Sequence, residues 1–187
     1  MVDLSRNPFA SPGDKDEIRA ALTHRLKVVR EFIGRDISDL KTLDIAGPNK
    51  FGKALGIKDS TLPIDLNDWI GAPSDNYDVI TFFEVLEHLM DPLSAMRGVY
   101  HLLKPGGVCY LSTPEATPLY HLLMSPYHLT EYRKERIEVV FRYAGFEITK
   151  FRRFCLWDWW FAFWGVRPML RVLFHKNNLW ELRRPLA

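Results

Sequence analysis

Apolar positions along the chain change their period several times, and each change marks an element. From Asp14, with Glu17 three positions on as a capping box, Ile18, Leu22, Leu26, Val29 and Ile33 recur at helical spacing until Gly34, which predicts a first helix over residues 14–34. Residues 41–46 are a short apolar run ending in Gly47 and Pro48, the pattern of a buried parallel strand entering a loop. A short helix is predicted at 51–55, then strands at 61–65 and 77–83. Val85, Leu89, Leu93, Met96 and Val99 predict a helix over 84–100 with a break point at Pro92. Lys104 to Gly107 reads as a turn, 108–113 as a strand, 131–143 as a helix ended by Gly145, and 146–154 as a strand. Asn177-Asn178 reads as another turn.

This alternation implies right-handed βαβ units. The expected fold is α/β: a Rossmann-like, doubly wound, mostly parallel sheet with helices on both faces and a ligand crevice at the carboxyl ends of the strands. At 187 residues the chain is read as one domain, with an arm at 1–13, a core at 41–154 and an extension at 155–187. Composition narrows this further: 47% hydrophobic and 26% charged residues exclude the disordered and collagen-like classes. The balance of 25 Lys+Arg against 23 Asp+Glu creates no large field, which argues against nucleic acid as a partner. Cys109 and Cys155 lack metal-ligand spacing and the charged first twenty residues lack a signal-peptide core, so a cytoplasmic setting is expected.

Four blocks carry a family resemblance. Asn76-Tyr-Asp-Val-Ile-Thr-Phe-Phe-Glu-Val-Leu-Glu-His-Leu-Met-Asp-Pro92 is followed by Leu102-Leu-Lys-Pro-Gly-Gly107, then Leu111-Ser-Thr-Pro114, then His128-Leu-Thr-Glu-Tyr132 leading to Arg142-Tyr-Ala-Gly-Phe-Glu-Ile148. In order and spacing they resemble class I S-adenosylmethionine-dependent methyltransferases of the type 11 small-molecule branch. The resemblance implies about seven strands, the last antiparallel, which 179–183 would supply. It also implies S-adenosylmethionine as cofactor, S-adenosylhomocysteine as product, and methyl transfer to a small-molecule or glycan- or lipid-linked acceptor. A catalytically silent binding or regulatory module is the alternative.

By that resemblance the cofactor would be lined by Asp44, Ala46, Gly47, Asn49, Asp65, Leu66, Phe83 and Glu84. The family's Asp-x-Gly-x-Gly-x-Gly loop is degenerate here, with Ala46, Pro48 and Lys50 at the three glycine positions. Pro48 removes a backbone donor, and Ala46 adds a methyl group where the cofactor's methionine portion would pass. Asp65, 21 positions after Asp44, fits the ribose-binding acid by count; if Asp65 instead belongs to the next motif, Asp59 takes that role.

Glu84, Glu87 and His88 stand at i, i+3 and i+4, one face of a predicted helix at the crevice. His88 is the candidate general base; the same array could hold a divalent cation, or merely cap the helix, and no metal is assigned. His121 and His128 are further candidate bases, and His128 could instead fix the substrate-side loop. Finally, five of the six tryptophans fall after residue 156. Asp158, Arg167, Pro168 and Arg171 interrupt the stretch 154–174 and argue against a transmembrane span. A lid, a homodimer surface or an interfacial helix in peripheral membrane contact remain as its readings.

Overall fold

The computed structural model describes residues 14–47, 49–59, 76–116, 128–174 and 176–186. Helix α1 (Asp14–Ile33) ends where Gly34 adopts a left-handed φ of 66°. Then come β1 (Thr42–Asp44), α2 (Lys50–Ala54) and β2 (Tyr77–Phe83). A one-turn 3₁₀ helix (Leu86–His88) precedes α3 (Pro92–Leu102), β3 (Leu103–Pro114), α4 (Lys134–Tyr143) and β4 (Glu147–Cys155). A second 3₁₀ helix (Trp159–Trp164) leads into α5 (Val166–Phe174) and β5 (Lys176–Arg183).

Among the described residues the sheet has five strands, in the order β1-β2-β3-β5-β4. About seven were expected, and one of them, the strand predicted at 61–65, lies outside the described residues. β1, β2 and β3 run parallel, and β5 inserts antiparallel between β3 and β4, as the last strand should. The carboxyl ends of β1, β2, β3 and β4 therefore share one edge.

Side chains alternate across the sheet and meet a helical layer on each side. Ile80, Phe82, Cys109, Leu111, Trp180 and Leu182 pack with Met96 and Val99 of α3 and Ile137 and Phe141 of α4. Val79, Phe83, Val108, Tyr110 and Leu179 pack with Val28, Val29 and Phe32 of α1. Fully buried Trp180 meets Phe141 edge-on at 5.3 Å, and its indole N–H donates to Glu138 at 3.0 Å, so the buried ring leaves no polar atom unmet.

Two predicted elements change. Residues 84–91 do not continue α3 backwards: Glu84 adopts a left-handed φ of 56°, and α3 begins only at Pro92, capped by the Asp91 carboxylate accepting from the Ser94 amide at 3.0 Å. Asn177 and Asn178 are not a turn but fully buried residues of β5, because β3 and β4 flank them on both sides.

Candidate active site at the carboxyl edge of the sheet

β1 ends at Asp44, which is buried. Its carboxylate accepts from Thr81 Oγ1 at 3.0 Å, Asn49 Nδ2 at 2.8 Å and the Ala46 amide at 3.3 Å. Burial pushes this carboxyl above its ordinary value, while those bonds and the Arg25 charge pull the other way. Asn49 ties the degenerate loop together: Nδ2 also donates to the Gly47 carbonyl at 2.9 Å, and Oδ1 caps α2 by accepting from the Gly52 amide at 2.8 Å. A methyl group on Gly52 would stand 2.4 Å from Asp44 Oδ2, so this glycine permits the close approach. Gly47 differs. With φ of 80° it turns the chain, and the position of its missing side chain has no atom within 4 Å among the described residues. That open space at the end of β1 is where a bound group can meet backbone.

β2 ends at Phe83, whose ring is buried edge-to-face on Phe51 at 5.6 Å. Glu84 follows, and its amide donates to the Ser112 carbonyl at 2.9 Å. A left-handed non-glycine residue costs on the order of 1–3 kcal/mol and is held only where surroundings over-determine it. Here they do. The Glu84 carboxylate accepts from Ser112 Oγ at 2.6 Å and from Asn177 Nδ2 at 2.8 and 2.9 Å, with Arg25 Nη2 at 3.6 Å.

Arg25 joins the two strand ends. Its guanidinium lies 4.6 Å from the Phe51 ring centre and 5.6 Å from that of Phe83, and Nη2 donates to Ser112 Oγ at 3.3 Å. Its buried Nε has no hydrogen-bond partner among the described residues. Sequence reasoning missed Arg25, Ser112 and Asn177. Only Arg25 left a trace, a cation four positions before Val29 on the apolar side of the first helix.

Glu87, His88 and His128 form a second cluster, with one ligand atom from each lying within 4.8 Å of the others. Glu84, expected in this array, is turned away by its left-handed backbone, and His128 takes its place. Glu87 is fully buried; Oε2 accepts from Thr113 Oγ1 at 3.0 Å while Oε1 has no partner among the described residues. Burial and the nearby Glu84 charge hold its carboxyl well above the usual carboxylate range. The His88 and His128 rings meet edge-on at 5.1 Å, and Glu131 sits 2.9 Å from His128 Nδ1, fixing that ring. Two imidazoles and a carboxylate suit a borderline divalent cation or a proton relay.

Of the residues expected to line the cofactor, Asp44, Ala46, Gly47 and Asn49 form one loop, and Phe83 and Glu84 the neighbouring strand end. Asp65, Leu66 and His121 lie outside the described residues. Asp59, the other ribose candidate, bridges Leu43 of β1 and accepts from the Tyr77 hydroxyl at 2.8 Å.

The family model described as "Methyltransferase domain" matches residues 18–150. The chain is 44% identical over 50 residues to the ubiquinone biosynthesis O-methyltransferase of Aeromonas salmonicida, covering 27% of this chain and 21% of that protein. It is 29% identical over 102 residues to that of Psychrobacter cryohalolentis, covering 51% and 40%. The chain thus spans two-fifths or less of the length of these relatives. Among solved structures, a Thermotoga maritima S-adenosylmethionine-dependent methyltransferase, described as a possible histamine N-methyltransferase, superposes with a TM-score of 0.65 at 14% identity over 89% of this chain and 90% of that one. One from Archaeoglobus fulgidus gives 0.62 at 16% identity over 90% and 97%. The parallel strands ending at Asp44, Phe83 and Pro114, the turn at Gly47 and a family match over most of the core agree with one another: this chain belongs to the methyltransferase-domain family, whose class I members use S-adenosylmethionine.

Proposed function

We propose that this chain transfers the methyl group of S-adenosylmethionine to a small-molecule or glycan- or lipid-linked acceptor. The observation that carries the reading is the positive-φ turn at Gly47, open among the described residues, together with the partly buried Arg25, whose charge reaches Asp44 and whose Nε has no hydrogen-bond partner among the described residues. These suit the cofactor's amino-acid end: the Arg25 guanidinium would hold its carboxylate, and the backbone at 46–47 would receive the rest of that portion. Asp44, accepting from Thr81, Asn49 and Ala46, would hold the loop that receives the cofactor.

The bound sulfonium supplies an electrophilic methyl group that needs alignment more than acid catalysis. Glu84, braced by Ser112 and Asn177, fixes the end of β2 that borders the cofactor. His88, beside His128, accepts the acceptor's proton; with Glu87 the pair can alternatively grip a divalent cation that lowers the acceptor's pKa. Loss of activity on chelation, restored by metal, separates the second role from the first.

Calorimetric titration with S-adenosylmethionine and S-adenosylhomocysteine tests the reading. Binding of both with a single site is expected. A folded protein that binds neither at millimolar ligand would overturn it and leave the silent module, and glycine at Ala46 and Lys50 would then be the substitutions to restore affinity.

A further inference from the structure

We infer that the face formed by the second 3₁₀ helix and α5 is a docking surface for an anionic lipid bilayer. In the 3₁₀ helix only Phe161 is buried; Trp159, Trp160, Phe163 and Trp164 are 56%, 62%, 72% and 62% exposed. The rings of Trp159, Trp160 and Phe163 contact one another, Trp159 stacking on Trp160 at 3.9 Å and Trp160 meeting Phe163 at 5.8 Å, while Trp164 lies on buried Phe161 at 5.2 Å. α5 packs against this helix and extends it. Val166, Met169, Leu173 and Phe174, at i, i+3, i+7 and i+8, are one helical stripe, and all four are exposed. The apolar stripe of α5 thus faces away from the core, the reverse of an ordinary surface helix.

Charge decides what covers it. Residues 158–176 contain Arg167, Arg171 and Lys176 against one acid, Asp158, which stands at the N-cap of the 3₁₀ helix and sits 3.8 Å from His24. A second copy would set a segment with this surplus of basic residues against itself. An anionic bilayer supplies the opposite charge, and indole rings favour the headgroup boundary where one end is apolar and the other wet. Helix α5 has nine residues, far short of a span, and among the described residues no helix is long and apolar enough to cross a membrane. The contact is therefore in the plane of the surface.

Position ties the surface to the crevice. It leaves β4 at Cys155 and re-enters β5 at Lys176, which pair with each other at the edge where β3 ends against Asn177. Asn177 then holds Glu84. A bilayer bound there lies at the mouth of the crevice. This inference goes beyond the methyl-transfer reading and stands without it, since docking needs no cofactor.

The test pellets the 187-residue chain with vesicles of phosphatidylcholine alone or with phosphatidylglycerol added, while tryptophan emission is recorded. Pelleting with the anionic vesicles, a blue shift and release by salt are expected. Trp160→Ala/Trp164→Ala removes exposed rings only, so its melting temperature should stay within a few degrees of the parent while partitioning falls more than about tenfold. Arg167→Glu/Arg171→Glu keeps every ring and weakens partitioning by roughly an order of magnitude or more, at about 1 kcal/mol per cation lost. Parent protein left in the supernatant with both vesicles, either variant pelleting like the parent, or a dimer that the tryptophan substitutions split would each overturn the inference. Calorimetry with S-adenosylmethionine on the same samples keeps failure of docking distinct from failure of cofactor binding.

Discussion

Asn177 Nδ2 lies 2.8 and 2.9 Å from the two carboxylate oxygens of Glu84, a contact between residues 93 positions apart that fastens the last strand to the end of β2. Both the carboxylate and the left-handed backbone of Glu84 depend on it. Replacing Asn177 by Leu is expected to destabilise the fold by about 1–3 kcal/mol, the cost of leaving a hydrogen-bonded charged group short of a donor. Denaturant unfolding measures this, and an unchanged midpoint would show that Ser112 and Arg25 hold Glu84 unaided.

Arg25 is expected to act on binding more than on stability. Arg25→Met keeps the stem against Phe51 and Phe83 but removes the planar fork, and Arg25→Lys keeps charge without it. Both should weaken S-adenosylmethionine binding by at least about tenfold, the loss of one charge-assisted hydrogen bond of roughly 1.5–3 kcal/mol. Calorimetry with each variant provides the number. Equal affinity for Arg25→Lys and the parent would assign the carboxylate to another group.

Gly47 and Gly52 should separate cleanly although they are five positions apart. Gly52→Ala drives a methyl group into Asp44 Oδ2, which is expected to cost about 1–3 kcal/mol of stability through overpacking. Gly47→Ala meets no neighbour among the described residues, so its φ of 80° is what opposes it, at about 1 kcal/mol, but the added methyl enters the open space and should reduce cofactor affinity. Melting temperatures and titrations of the two variants together check the contrast.

The raised carboxyl of Glu87 gives a pH signature. A carboxyl whose folded-state pKa lies above its unfolded value binds its proton more tightly when folded, so its contribution to stability falls as pH rises from the ordinary carboxylate range towards the raised value. Glu87→Gln keeps the shape and the Thr113 contact without an ionisable group. The variant should match the parent at acid pH and become more stable than it as pH rises, by on the order of 1 kcal/mol or more, read from melting curves across pH. Parallel curves would refute a buried protonated Glu87.

Local periodicity carried most of the scaffold. The first helix and the strand Tyr77–Phe83 end within a residue of their predicted limits, because each pattern is several turns or residues long and bounded by Gly, Asp or Pro. Residues 84–91 defeated the same logic. Leu86 and Leu89 are buried as their spacing demands, yet the Glu84 amide is claimed by Ser112 on the next strand, which prolongs the sheet and forbids a helix. Asn177-Asn178 failed likewise: two amides read as a turn until strands on both sides claim their backbone.

The sequence alone determined the α/β class, the family and the loop at Asp44 to Asn49, since those rest on short-range spacing and on turn chemistry. Tertiary structure alone decided the composition of the site. Arg25, Glu84, Ser112 and Asn177 come from four elements, and Glu87, His88 and His128 converge across 40 positions. No local pattern encodes such meetings, because they arise when strands align their ends at one edge. The tryptophans divided on the same ground: Trp180 lies in a strand between two others and is buried, whereas Trp159, Trp160 and Trp164 leave the sheet and stay in solvent.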